Sequence, residues 1–537
     1  MHRRTFLQVG LLGSGTALRS HGQSDPPLQR PVPVKSFELE EATIADLQAG
    51  MASGKFSARS ITERYLTRID EIEKRGPAIN AIIELNPDAL AIAETLDQER
   101  RQKGARGRLH GIPVLIKDNI DTADRMMTTA GSLALAGPPA PHDAFIVQRL
   151  RDTGAVILGK TNLSEWANFR SSHATSGWSG RGGQTRNPYA LDRNPCGSSS
   201  GSGAAVAANL CAVAVGTETD GSVTCPSSIN GLVGIKPTIG LVSRWGIVPI
   251  AHSQDTAGPM TRTVADAATL LSVLAGVDPN DAVTKESTGR SQPDYTKFLD
   301  PNGLRGARIG VARKSFGFND HVDKLMASAI DTVKHLGAEI IDPADIPTIG
   351  KFGDSENEVL LYEFKADLNA YLERRGPGAP VHTLKDIIDF NDQNAAREMP
   401  YFAQDVMIKA QGKGPLSSPA YLKALRKNHE LARRQGIDAV MAKFRLDALV
   451  APTSGPAWPI DLPNGDSGAG GGFTSPAAVA GYPHITVPAG FVFGLPVGIS
   501  FVGKPYSEPA LIRFAYAFEQ ATRHRKTPRF LPSVDLG

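Results

Sequence analysis

The sequence predicts an α/β protein: strands and helices alternate around a sheet, and a mainly helical segment is inserted late in the chain. Three observations carry that prediction. Short apolar runs such as residues 112–116 alternate with helical stretches such as 143–153, the rhythm of a sheet covered by helices. Residues 355–444 leave that rhythm and read as mostly helical. Composition is that of a soluble protein with a large core, 41% hydrophobic and 21% charged.

The elements follow in order. Ser57 is an N-cap for a helix that stops before Gly76, and Asn86-Pro87-Asp88 starts another that runs to Gly104. Three helices are expected to open the domain. Residues 112–116 form a buried strand, 143–153 a helix and 155–158 the next strand. Residues 170–203 are rich in Gly, Ser, Asn and Arg. So long an irregular stretch inside a compact domain is usually functional. A small-residue helix follows at 204–209, a strand at 211–215 and a helix at 263–275. Residues 278–304 are polar and proline-bearing, a connection. Strands at 308–312 and 338–341 flank a helix at 320–336. The helical segment 355–444 is expected to face the substrate, and no internal repeat is visible.

The first residues are of another kind. His2-Arg3-Arg4-Thr5-Phe6-Leu7 precedes an apolar, glycine-rich run, the pattern of a twin-arginine export signal. That run is too short to span a bilayer. Residues 1–22 are expected to be the signal of a periplasmic or secreted protein, 23–36 a linker and 37–530 the folded domain. Lys and Arg total 58 against 55 Asp and Glu, a formal charge of +3. Without Arg3, Arg4 and Arg19 the two sides balance. A neutral chain has no electrostatic footprint for nucleic acid or an anionic membrane. Cys196, Cys211 and Cys225 lack Cys-x-x-Cys spacing and have small apolar neighbours. Buried free thiols are expected, with no metal site.

Three segments carry chemistry. Lys117 ends the run Gly111-Ile-Pro-Val-Leu-Ile-Lys117. Ser198 and Ser199 lie in Cys196-Gly-Ser-Ser-Ser-Gly-Ser-Gly203, and Ser222 in Gly216-Thr-Glu-Thr-Asp-Gly-Ser222. Serine attacks only when a base takes its proton. Lysine can be that base once burial makes it neutral. The combination points to hydrolysis of an amide or ester. The turn before Ser222 enters a helix, so the amides of Thr219, Asp220, Gly221 and Ser222 are expected to hold a developing oxyanion. Plainer readings exist: Lys117 as a surface lysine and Ser222 as a helix cap.

Gly197-Ser-Ser199-Ser-Gly201 also fits the Gly-x-Ser-x-Gly elbow, with Ser199 attacking. Asn194-Pro-Cys is not the apolar strand an elbow needs, and His252, His382 and His484 carry no supporting motif. The Ser-x-x-Lys pattern is absent. His110 reads as structural, and Glu218 and Asp220 as turn residues. Arg186, Asn187 and Arg193 are expected to brace the serine loop. Trp166, Trp178 and Trp458 read as core residues rather than pocket walls.

These segments resemble the amidase signature family. The resemblance extends through Thr185-Arg-Asn-Pro-Tyr189, Gly231-Leu-Val-Gly-Ile-Lys-Pro-Thr238, Gln254-Asp-Thr-Ala-Gly-Pro-Met260, Gly481-Tyr-Pro483 and Gly494-Leu-Pro-Val-Gly498. It spans residues 40–520, and the two serine motifs are most similar to the peptide amidase branch. It implies a single large domain, where length alone suggests roughly three to four, with a central mixed β-sheet covered by helices. It also implies a Ser–cis-Ser–Lys triad: Lys117 the base, Ser198 the bridging serine on a cis peptide, Ser222 the nucleophile. Ser199 would support them by hydrogen bonding. An acyl-enzyme would form and be hydrolysed by water without metal or cofactor.

The implied partner is a small-molecule or peptide amide, with no nucleic acid and no stable membrane anchor, in a monomer or homodimer. Aryl or fatty acyl amides are the alternative substrates. The alternatives of another class are an amidase-like subunit of a tRNA-dependent amidotransferase complex, which the export signal argues against, and a solute-binding protein without chemistry. Ala478 stands where the family often has Asn, which leaves one substrate contact open.

Overall fold

One mixed sheet of eleven strands organises the computed structural model, which describes residues 31–468, 470–534 and 536. The export-signal reading falls outside the described residues, as does most of the linker. The strands, in chain order, are β1 (Ile82–Leu85), β2 (Pro113–Lys117), β3 (Val156–Thr161), β4 (Trp178–Ser179), β5 (Gly183–Gln184), β6 (Val213–Glu218), β7 (Val233–Lys236), β8 (Thr256–Thr261), β9 (Arg308–Val311), β10 (Glu339–Ile341), β11 (Ala448–Pro452), β12 (His484–Val492) and β13 (Leu495–Val502). Their order is β1-β3-β2-β6-β8-β7-β12-β13-β11-β9-β10, with β4 and β5 a separate hairpin. β2 runs parallel to both β3 and β6, whereas β6, β8, β7, β12, β13 and β11 pair antiparallel in turn.

Burial on both faces explains which strands are legible in the sequence. β2 reads Pro-Val-Leu-Ile before Lys117 and β3 opens Val-Ile-Leu, apolar runs such as strands covered on two faces should show. β8 (Thr-Ala-Gly-Pro-Met-Thr) is equally buried but shows neither alternation nor an apolar run. Strands β7, β8 and β11 to β13, and the helix Glu508–Thr522, are additions to the elements expected from sequence. The strand expected at 211–215 begins two residues later and continues to Glu218.

Helix starts follow their caps. The Ser57 hydroxyl accepts from Ser60 N–H ahead of Ala58–Glu73, Thr263 does the same for Val264–Leu274, and Asn319 for Asp320–His335. The helix expected at 204–209 is instead Ser200–Ala207. All eight of its residues are buried, and it packs against β2, β3, β6 and β8. Its Gly-Ser-Gly residues therefore serve close packing rather than a loop, and the irregular stretch stops at Ser199.

The segment 353–444 is helical, as expected: Gly353–Arg375, Leu384–Gln393, Asp405–Gln411, Pro419–Asn428, a π-turn at His429–Ile437, and Asp438–Phe444. It buries its own apolar cluster, including Phe364, Leu368, Leu372, Ile387 and Met407.

The thiols correct the sequence reading. Cys196 and Cys225 form a disulfide, and Cys211 alone is a buried free thiol among the described residues. The pair is 29 residues apart in sequence, so no local spacing marks it; the fold lays the serine loop against the helix Thr224–Ile229. Among the described residues no helix is long and apolar enough to cross a membrane.

Candidate active site

Lys117, Ser198 and Ser199 meet around Thr217, where β2 and β6 end. Lys117 is the last residue of β2, and neighbouring Ile116 pairs with Val215 of β6. Its amine is fully buried. It lies 2.7 Å from Ser198 Oγ, 2.9 Å from Thr217 Oγ1 and 3.3 Å from the Thr217 carbonyl. Burial pulls its pKa down to about 7, against the opposing pull of the Asp255 and Glu218 charges. The surface-lysine reading is thereby excluded. Thr217 lies inside one of the quoted motifs, yet nothing in the sequence sets it apart there.

The Gly197–Ser198 peptide is cis, as the resemblance implied. Gly197 is required by close approach: a methyl group there would lie 2.2 Å from Ser164 Oγ. The Ser198 carbonyl accepts from Ser164 N–H at 3.1 Å. Ser199 grips the strand behind the site. Its hydroxyl donates to the Thr217 carbonyl at 3.0 Å and accepts from Thr217 N–H at 3.2 Å, and its own N–H donates to the Ser222 carbonyl at 3.1 Å. With both hydroxyl positions spent on backbone and no histidine beside it, Ser199 is not an elbow nucleophile.

Ser222 is 7% exposed, and its hydroxyl has no hydrogen-bond partner among the described residues. It does not cap the following helix. Glu218 does so, accepting from Val223 N–H at 2.8 Å and Thr224 N–H at 2.9 Å. Burial holds the Glu218 carboxyl above its ordinary range. The amides of Thr219, Asp220, Gly221 and Ser222 have no acceptor among the described residues. Asp220 faces Glu356 of the helical insertion, whose carboxyl is pushed up to about 9 by burial and by the Asp220 charge. Gln254 Nε2 donates to Glu356 at 3.0 Å.

A cavity of about 400 Å³ opens beside Thr217, Glu218 and Thr219. Trp245, Ile247, Val248 and Ile250 give it an apolar wall, and Arg244, Asp281, Asp255, His252, Asp367 and Arg374 a charged one. Asp255, pushed up to about 6 by burial, accepts from Thr219 Oγ1 at 2.5 Å. His252, Glu363 and Asp367 are the described residues that could together hold a metal ion. They already bind one another and their neighbours: His252 Nδ1 lies 2.8 Å from Asp367, and Glu363 accepts from Tyr421. Most of this wall has no local signature, because its residues come from 244 to 374 and meet only in the fold.

Other expectations resolve as follows. His110 is structural, its buried ring lying between Arg106 N–H and the Leu96 carbonyl. Trp166, Trp178 and Trp458 are buried, and the tryptophan on the cavity is Trp245. The bracing of the serine loop needs correction. Asn187 ties to the Ile229 carbonyl, but Arg193 pairs with neighbouring Asp192 and Arg186 is exposed. Asn194 and Asn230 do the bracing: Asn194 Oδ1 accepts from Cys196 N–H and Asn230 Nδ2 donates to the Pro195 carbonyl. Ala478 is fully buried and does not line the cavity.

The fold and this site define an amide-bond hydrolase, and comparison with known proteins agrees. Residues 60–512 match the Amidase family model, and the chain belongs to the amidase signature family. It acts on carboxamide bonds. It is similar to the native peptide amidase from Stenotrophomonas maltophilia, with 51% identity and a TM-score of 0.88 over 92% of this chain and 100% of that one. It is 43% identical over 505 residues to a probable amidase of Arabidopsis thaliana, covering 92% of this chain and 93% of the relative. It is also 36% identical over 509 residues to one subunit of the glutamyl-tRNA(Gln) amidotransferase of Chloroflexus aurantiacus, covering 92% and 99%.

Proposed function

We propose that this amidase removes the terminal amide of C-terminally amidated peptides, with Ser222 as nucleophile, Ser198 as proton relay and Lys117 as base. The observation that carries the reading is the buried amine of Lys117, 2.7 Å from Ser198 Oγ with its pKa lowered to about 7. A neutral lysine accepts a proton at working pH, and a general base is most effective when its pKa lies near that pH.

The Ser222 hydroxyl attacks the carbonyl carbon as its proton passes through Ser198 to Lys117. The carbonyl oxygen takes the negative charge and rests on the amides of residues 219–222, which are free to donate. The C–N bond breaks as the relay returns a proton to nitrogen, and ammonia leaves. Water then attacks the ester by the same relay, giving the free acid and Ser222 again.

Peptide amides are favoured by the 51% identity to a peptide amidase over nearly the whole chain. A cavity of about 400 Å³ with apolar and charged walls suits a short peptide. The experiment is incubation with an amidated tetrapeptide. One equivalent of ammonia and one free-acid product are expected. Internal fragments would indicate a general peptidase; inertness together with rapid anilide or fatty-amide hydrolysis would reassign the substrate. Ser222→Ala should lower kcat about 10⁴-fold or more. We further propose export before action, on the twin arginine and Phe6-Leu7. That setting argues against service in a cytoplasmic amidotransferase complex, and an oxidising compartment suits a disulfide.

A further inference from the structure

A covalent bond brackets the chemistry. Cys196 lies two positions before Ser198, and Cys225 three after Ser222. Cys196 has φ +59°, a left-handed conformation that costs a non-glycine residue about 1–2 kcal/mol. Its N–H donates to Asn194 Oδ1 at 2.8 Å, its carbonyl accepts from Ser200 Oγ at 2.7 Å, and its sulfur is bonded to Cys225. Cys225 sits in the first turn of Thr224–Ile229 and donates its N–H to the Gly221 carbonyl at 2.8 Å. Besides the disulfide, the serine turn reaches the nucleophile turn through Ser199 N–H and the Ser222 carbonyl. A hydrogen bond of that kind contributes only about 1 kcal/mol.

We propose that the Cys196–Cys225 disulfide is a positioning element of the catalytic machinery, holding the serine turn against the nucleophile turn so that Ser198 and Ser222 stay in register. This rests on the reading of Ser222 as nucleophile and Ser198 as relay. A relay tolerates little slack, since misplacing a reacting group by about 1 Å can cost on the order of 10²-fold in rate. The bond is also reachable: Cys225 is only partly buried, whereas Cys211 is fully buried.

The test treats the folded enzyme with a water-soluble phosphine, which becomes the phosphine oxide by taking oxygen from water and leaves two thiols. Thiols titrated after denaturation should rise from one per chain to three. The expected result is a fall of about tenfold or more in kcat on an amidated peptide, and in the rate of Ser222 labelling by a fluorophosphonate. KM should change by less than about twofold. Near-UV circular dichroism should still report a folded protein, and reoxidation should restore kcat. The double variant Cys196→Ala/Cys225→Ala should behave like the reduced enzyme. Unchanged kcat in the three-thiol enzyme overturns the proposal, as does a loss of kcat that only follows loss of the near-UV signal. A fluorophosphonate adduct on another serine in both redox forms overturns the assignment of Ser222 instead.

Discussion

As the proposed base, Lys117 works for the reaction and against the fold. In the unfolded chain it keeps its proton up to about pH 10.4. In the fold it does so only below about 7. Between those values the unfolded state holds the extra proton, so stability rises with pH across that window, and at neutral pH the buried lysine is a net cost. Two outcomes follow. The kcat/KM profile should climb with pH through an apparent pKa near 7, and Lys117→Arg should stay inactive at every pH because arginine keeps its proton. Lys117→Met should be inactive yet melt, by calorimetry at pH 7, no lower than the parent. A Tm several degrees lower would mean that the lysine is charged and stabilising in the fold.

The two adjacent serines should separate in the same way. Ser199→Ala removes both hydrogen bonds to buried Thr217 backbone and should destabilise by about 1–3 kcal/mol, read from denaturant unfolding. Ser198→Ala should leave stability near normal while abolishing turnover.

At the scale of elements, the turn from β6 into the helix Thr224–Ile229 decides where Ser222, the proposed nucleophile, points. Gly221 there has φ +77°, and a methyl group would sit 3.1 Å from Thr474 Oγ1. Gly221→Ala should therefore cost about 1–2 kcal/mol of stability and lower kcat more than it raises KM. Equal kcat would show that the turn tolerates displacement.

What the sequence reveals at this scale has a physical pattern. Lys117 and the serines are legible because each sits in a short segment whose composition is unusual by itself. The cap Ser57 is legible because capping is local. The strands β7, β8, β12 and β13 are not, because they are buried on both faces and so lack alternation, while Gly, Pro, Thr or Ser interrupts the apolar run that marks β2. The disulfide and the Asn194 and Asn230 braces are not, because their partners meet only after the chain has folded.

For the molecule as a whole, the helix Gly353–Arg375 is tied at several points to the loops that follow β2 and precede β8. Tyr371 donates to Asp121 at 2.8 Å, Arg375 to the carbonyls of Thr128 and Pro138, and Asp367 pairs with His252 at the cavity wall. Burial and nearby Arg244 oppose a proton on His252, but the hydrogen bond and charge of Asp367 and the charge of Glu363 prevail, so its pKa is raised. A raised histidine pKa stabilises below the unfolded value of about 6.5, and that contribution fades as pH rises through the folded value. Above that point KM should rise while kcat, set on the proposed mechanism by Lys117, does not fall. Asp367→Asn should show the higher KM already at pH 6, in steady-state assays on an amidated peptide. A KM independent of pH in both proteins would show that this ion pair does not shape the cavity. On the same scale, replacing Arg3 and Arg4 with lysine should leave active precursor in the cytoplasm, and unchanged activity outside it would exclude a twin-arginine route.

The long helix of the insertion lends Asp367, Ala370 and Arg374 to the cavity wall, while Lys117, Ser198 and Ser222, the proposed triad, come from the sheet and its turns. Chemistry and part of the selectivity are thus written on separable stretches of the chain. A lineage can revise which amides are admitted by drift in residues 353–428 without reopening the question of how any amide is cut. A chimera carrying that stretch from a relative should accordingly keep the hydrolytic step and inherit the donor's taste in larger substrates, much as a tool keeps its blade when its guide is exchanged.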